Sequence, residues 1–136
     1  MIFTFALFFF SVKKNMSDLI TGEIIGAAIE VHKTLGRGLL ESIYEEALCH
    51  ELELREMKFQ RQFEIDVIYK GKIIGGQKID LLVDNEVIVK IESVPKSQGT
   101  STPQVVSTLT AAGLNRALIF NFGANRLIDG TTRIVI

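Results

Sequence analysis

Lys90 and Glu92 stand two residues apart in the apolar run Val87-Ile88-Val89-Lys90-Ile91-Glu92-Ser93-Val94. Side chains alternate along a strand, so Ile88, Lys90 and Glu92 share one face and Val87, Val89 and Ile91 the other. An ammonium and a carboxylate in such a strand are costly to bury without partners. Asp80, in the run Ile79-Asp80-Leu81-Leu82-Val83, adds a second carboxylate. Two carboxylates and a lysine at the ends of paired strands suit a divalent-metal site for phosphoryl chemistry. The competing reading is a structural ion pair at a sheet edge, with Asp80 against Lys78 or Lys90.

Two further residues join this group. Glu41 precedes Tyr44 by three residues and Leu48 by seven, which sets it near the inward stripe of a helix. Its other role would be electrostatic, a carboxylate in the first turn at the positive end of the helix dipole. Gln104 follows a hydroxyl-rich loop and can touch a phosphate or a water, or simply be solvated. His32 and His50 stand alone on different helices, without a second histidine or cysteine at ligand spacing, which argues against a transition-metal site. There is no Gly-rich phosphate loop, no dinucleotide fingerprint and no Ser-His-Asp or Cys-His arrangement.

The elements that must position these groups follow from periodicity. Ile20, Ile24, Ala28, Val31 and Leu35 recur at helical spacing, predicting a helix from Ser17 to Leu35 capped by Ser17 or Asp18. Gly36-Arg37-Gly38 stops it. A second helix is expected from Leu40 to Glu56, with Leu40, Ile43, Tyr44, Ala47, Leu48 and Leu52 inward. The period then changes to two. Phe59, Arg61, Phe63, Ile65, Val67 and Tyr69 alternate with Gln60, Gln62, Glu64, Asp66 and Ile68 as one strand. Strands at Ile73–Val83 and Val87–Val94 follow, the first with a bulge or bend at Gly75-Gly76. Pro103 suits the first turn of a third helix ending near Gly113. Arg116 to Phe122 reads as a buried central strand, and Thr132 to Ile136 as a last one. The order is helix, helix, three antiparallel strands, helix, strand, strand. That is an α/β (α+β) domain with a sheet packed on helices.

Size and composition fit one soluble domain. The 136 residues are 47% apolar and 23% charged, with a net charge of −1. That balance does not mark a strongly basic nucleic-acid binder, although a local patch of lysines remains open. A single cysteine, Cys49, excludes an internal disulfide and a multi-cysteine zinc site, and suits a reducing cytoplasm. Met1 to Phe10 departs from the rest, with five of the nine phenylalanines. It is about half the length of a membrane span and lacks signal-peptide flanks. Residues 1–15 are therefore expected to lie outside the fold, and 16–136 to form a single domain. A short added strand or an interface anchor is the other reading of that segment. Its apolar character offers one route to a homodimer.

Several motifs in order carry a resemblance. They are Ile24-Ile25-Gly26-Ala27-Ala28-Ile29-Glu30-Val31-His32 and Leu35-Gly36-Arg37-Gly38-Leu39-Leu40-Glu41-Ser42-Ile43-Tyr44. Tyr69-Lys70-Gly71, Asp80-Leu81-Leu82-Val83, Gln104, Asn121-Phe122-Gly123, Asp129-Gly130 and Arg133-Ile134-Val135 continue the series. Over residues 17–136 the chain resembles the GxxExxY protein family, within the PD-(D/E)XK nuclease-like superfamily. The signature residues are Gly38, Glu41 and Tyr44. The resemblance implies an αβββαβ core and a metal-dependent phosphodiesterase acting on DNA or RNA. By position it implies a catalytic set of Glu41, Asp80, Lys90, Glu92 and Gln104. Asp80, Glu92 and Glu41 would hold Mg²⁺ or Mn²⁺, and Gln104 and Lys96 would contact substrate.

The chain departs from that pattern at the strand motif. The family places glutamate first and lysine second, whereas here Lys90 precedes Glu92. A tyrosine normally four residues beyond the helical glutamine is here Thr108. Two strand residues span about 6.6–6.8 Å, whereas a Mg²⁺–oxygen bond is about 2.0–2.1 Å. A carboxylate displaced that far cannot reach the same ion unless the ion or the backbone moves. Three outcomes follow: a shifted working site, a dead site that still binds nucleic acid, or an ion pair only. The expectation is impaired or lost catalysis; the alternative is a non-catalytic nucleic-acid-binding or protein-interaction module on the same fold.

Overall fold

The computed structural model describes residues 2–95 and 101–136, with side chains from residue 18 onward outside the 96–100 segment. Helix α1 (Ile2–Leu35) and helix α2 (Glu41–Leu54) come first. Strands β1 (Phe59–Tyr69), β2 (Lys72–Val83) and β3 (Val87–Glu92) follow, then helix α3 (Thr102–Ala112). Strand β4 (Arg116–Asn121), a short 3-10 turn at Leu127–Gly130 and strand β5 (Thr131–Val135) complete the chain. The sheet order is β1-β2-β3-β4-β5, antiparallel except for the parallel β3–β4 pair. Helix α3 is the crossover that a parallel pair requires. The predicted element order and mixed α/β class are those observed. The α1 backbone continues without a break through Ser17, so neither Ser17 nor Asp18 caps it. Asp18 instead pairs with Arg116 on β4, at 2.5 Å.

The sheet carries a core on each face. On one side α1 and α2 cover Leu81, Val83, Val87, Val89, Ile91, Leu118 and Phe120. On the other, Val105 and Leu109 of α3 cover Ile65, Leu82, Ile88, Ala117 and Ile119. This fixes β3 as expected: Val87, Val89 and Ile91 face α1 and α2, and Ile88 faces α3, with Lys90 and Glu92 on the same side as Ile88. Alternation along α2 is less complete than predicted. Tyr44, Leu48 and Leu52 are fully buried, but Leu40 is 71% exposed and Ile43 43%. Leu40 sits at the N-cap in extended backbone, outside the helical stripe.

The expectation that β1 keeps one apolar face fails at a single point. Phe59 packs on the α1/α2 core and Phe63 on the α3 core. On β2, Leu81 and Ile79 divide in the same way. Residues two apart on a regular strand share a face, so both strands turn over between these positions. Gln62 lies there, with φ at 50°, and the pairs Arg61↔Leu81 and Phe63↔Ile79 set it opposite Asp80. The left-handed backbone of a non-glycine residue costs on the order of 1 kcal/mol. Glu45 on α2 offsets that cost: its buried carboxylate accepts hydrogen bonds from Arg61 Nη2 and Gln62 Nε2, both at 2.9 Å. The bond and the neighbouring charge hold the Arg61 guanidinium above its ordinary range.

Candidate functional site

The turnover at Gln62 and Asp80 is where β2 and β3 part. Their ladder ends at Leu81↔Val89, and beyond it β3 continues against β4 alone through Lys90, Ile91 and Glu92. Asp80 fills the place of the missing strand partner: its Oδ2 accepts the Ile91 N–H at 2.7 Å. A carboxylate taking a backbone N–H at a strand fork closes the ladder as a cap closes a helix.

The fork opens a small cavity of about 40 Å³, lined in part by Gln77, Lys78, Asp80, Lys90, Gln104 and Thr108. That is room for a few water-sized atoms and far too little for a nucleotide. Asp80, Lys90 and Gln104, three of the expected site residues, therefore share one cavity. Lys78, two residues before Asp80, joins them. From sequence it reads only as an ion-pair partner for Asp80. Among the described residues neither Asp80, Lys90 nor Glu92 takes part in an ion pair, so the edge ion-pair reading does not hold.

Glu92 is engaged elsewhere. Its Oε1 accepts the Ser101 hydroxyl at 2.5 Å, a short charge-assisted bond. Ser101 is the N-cap residue of α3, yet its side chain makes no capping bond, because the hydroxyl is turned to β3. The polar loop before the helix was the available signal for this contact, but nothing in the spacing picked out Ser101. Thr108 is buried and donates to the Gln104 carbonyl at 2.9 Å, so its hydroxyl is spent on its own helix.

Glu41 lies apart from this cavity. It is exposed in the first turn of α2 and lines an open cleft with Arg37, Ser42, Ser93 and Gly123. The loop before it is held by Tyr44. The buried Tyr44 ring stacks on Phe122 at 4.4 Å between centroids, and its hydroxyl donates to the Gly36 carbonyl at 2.6 Å while accepting the Leu39 N–H at 3.1 Å. Gly38, with φ at 102°, gives the turn a conformation that L side chains rarely adopt. This accounts for a glycine and a tyrosine flanking Glu41. Beyond β3, Ser93 Oγ donates to the Leu39 carbonyl at 2.8 Å, and Asn121 binds both the N–H and the carbonyl of Val94. A Cβ at Gly123 would stand 2.2 Å from the Val94 carbonyl oxygen, so only glycine allows this close passage. Lys96 lies outside the described residues.

The three carboxylates expected to hold metal are thus divided. Asp80 caps the fork, Glu92 binds Ser101, and Glu41 lines the separate cleft. Among the described residues no group of three or more His, Cys, Asp or Glu side chains could hold a metal ion. The cavity at the fork offers one carboxylate against two ammonium groups. That donor set does not fit a divalent cation, which hard oxygen ligands bind and lysines repel. Ammonium groups and an amide suit an anion instead.

These features place the chain in a defined class. It belongs to the PD-(D/E)XK nuclease superfamily, whose family model matches residues 18–134, and the five-stranded mixed sheet with its helices is that fold. Proteins of this superfamily are generally dependent on a divalent metal. No curated protein and no solved structure matches the chain. No helix of the described residues is long and apolar enough to cross a membrane.

Proposed function

We propose that the chain is a GxxExxY-type protein derived from a metal-dependent phosphodiesterase, with catalysis impaired or lost and affinity for a nucleic-acid backbone retained. The observation that carries this reading is the exchange at the fork. Lys90, rather than a carboxylate, lines the cavity beside Asp80, while Glu92 is tied to Ser101. A cavity this small admits a phosphate oxygen or a water at its mouth. Lys78 and Lys90 would offset the phosphate charge and the Gln104 amide would donate to an oxygen. Lys96 would add a cation nearby. Arg116, at the start of β4, does not serve this role, being paired with Asp18 and only 13% exposed at its side chain. In this reading residues 16–136 are the working domain, residues 1–15 an apolar appendage, and a reducing cytoplasm the setting for the lone thiol.

Three measurements test it. Calorimetric titration with Mg²⁺ or Mn²⁺ is expected to give no binding heat. Fluorescence anisotropy with short DNA and RNA duplexes and single strands is expected to show binding that weakens steeply with salt and no cleavage. The exchange Lys90→Glu with Glu92→Lys is expected to restore metal-dependent cleavage. Cleavage by the unmodified chain that needs metal and is abolished by Asp80→Ala would overturn the loss of catalysis. Absence of binding at low salt would remove the nucleic-acid partner and leave a protein-interaction module.

A further inference from the structure

The polar groups around the fork cavity are not matched to one another. Lys90 of β3, Gln77 of β2 and Gln104 in the first turn of α3 bring hydrogen-bond donors to it, and Lys78, exposed on β2, adds a second positive charge. Asp80 brings an acceptor. Its Oδ2 is engaged by the Ile91 N–H, and among the described residues nothing donates to Oδ1. No ion pair joins Asp80 to either lysine among those residues. Thr108 has no proton to give, because its hydroxyl donates to the Gln104 carbonyl. The rest of the wall is apolar, with Ile79, Ile88 and Val105 each no more than 7% exposed. Charges over such a wall interact more strongly than in water. The set suits a ligand with several acceptor atoms and one donor.

A phosphate inside a strand does not supply that. It has two bare oxygens, no proton, and a chain leaving on both sides. A phosphomonoester has three bare oxygens on one stem, and it gives up its second proton at a pKa of about 6. The size agrees: a water-sized atom needs about 10–15 Å³ of such space, so the cavity of about 40 Å³ holds about three. Taking the fork as the anion site proposed above, we infer that it receives a phosphomonoester, the end phosphate of a nucleic-acid strand. Lys90, Gln77 and Gln104 donate to two of the oxygens. The third keeps its proton and donates it to Asp80 Oδ1. Asp80 is thereby the selecting residue. Its carboxylate repels an oxyanion with no proton to share, so sulfate, of similar size and shape, is rejected.

Fluorescence anisotropy at pH 6 tests this, with one short single strand carrying a 5′-phosphate, a 3′-phosphate or neither. A terminal phosphate at one of the ends is expected to tighten binding by tenfold or more. Inorganic phosphate is expected to displace that strand, and sulfate at equal ionic strength to leave it bound. Lys90→Met is expected to remove the advantage of the terminal phosphate with an unchanged circular dichroism spectrum. Asp80→Asn keeps an oxygen for the Ile91 N–H and presents an amide donor in place of Oδ1. In that variant sulfate is expected to compete as well as phosphate does. Equal affinity for all three strands would overturn the end-phosphate site and leave backbone binding standing. Sulfate matching phosphate on the unmodified chain would overturn it too. Calorimetric binding of inorganic phosphate and ribose 5-phosphate, with no strand bound at low salt, would overturn the nucleic-acid source and assign the same site to a small phosphorylated ligand.

Discussion

The loop clamped by Tyr44 and the fork capped by Asp80 lie on opposite sides of the same strand, β3, and differ in what holds their residues in place. At the clamp the glycine and the tyrosine that flank Glu41 have surroundings that explain them. Tyr44 is buried, stacked on Phe122, and satisfies two backbone groups of the turn. At the fork the architecture is regular but the residues lining it are of mixed charge. Asp80 ends the ladder, and the cavity beside it is lined by Lys78, Lys90 and Gln104 among others, a set that does not suit a divalent cation. Packing residues are held by the stability of the whole domain. Site residues are held only by activity, and removing a clustered charge costs the fold little. Site residues can therefore change while the fold stays the same.

The largest expected effect breaks the clamp. Tyr44→Ala removes a fully buried ring and both hydrogen bonds, and is expected to destabilise the domain by about 3–5 kcal/mol in urea denaturation. Tyr44→Phe keeps the stack and leaves the Leu39 N–H and Gly36 carbonyl unmet, at about 1–3 kcal/mol. Equal losses from the two variants would show that the hydroxyl, not the stack, holds the turn.

Cys49 tests the same region by pH. It is buried on α2, and burial pushes its thiol up to about 11 from an ordinary 9.0. The folded chain therefore keeps this proton while the unfolded chain releases it. Stability from this source is complete below pH 9 and falls between pH 9 and 11, by on the order of 2 kcal/mol. Denaturation midpoints measured across that range, in the native chain and in Cys49→Ala, isolate it: the decline is expected to be smaller in the variant. In the folded protein at pH 8 the thiol is expected to react with iodoacetamide far more slowly than in urea.

Asp80 sharpens the contrast. Carboxylates clustered for a metal repel one another when the metal is absent, so deleting one stabilises such a protein. Here Asp80 stands beside lysines and caps a backbone N–H, so Asp80→Ala is expected to cost about 1–3 kcal/mol. Asp80→Asn, which still offers an oxygen, is expected to cost less, and the Ile91 amide to exchange faster in the alanine variant than in either other form. A gain in stability on Asp80→Ala would mark the fork as a strained, working site.

Much of this was legible in the residues. Element order, the faces of β3 and the cap region at Pro103 follow from period and turn chemistry, which are local. The Gln62–Asp80 turnover was not legible, because Gln62 has no local reason for a left-handed backbone. Its reason is Glu45, 17 residues earlier on another element. The same holds for Glu92: its hydroxyl partner follows a loop, and loop paths are not written in periodicity. Glu41 shows the converse error. Its spacing set it near the inward stripe, but the first turn of α2 begins at Glu41 itself and leaves the side chain exposed in a different cleft.

Lys90 gives the smallest expected effect and the most direct comparison of stability with binding. Among the described residues it has no ion-pair partner, and it is neither fully exposed nor fully buried. Replacing it with methionine keeps the apolar stem along the strand and removes the ammonium. The stability change is expected to stay within about 0.5 kcal/mol. If the lysine faces phosphate, the same substitution weakens nucleic-acid binding on every sequence tested and lowers the slope of log affinity against log salt by about one. The two readouts must separate. A large loss of stability would mean that the Lys90 ammonium supports the fold itself, and the exchange with Glu92 would then be a matter of packing rather than the trace of a lapsed reaction.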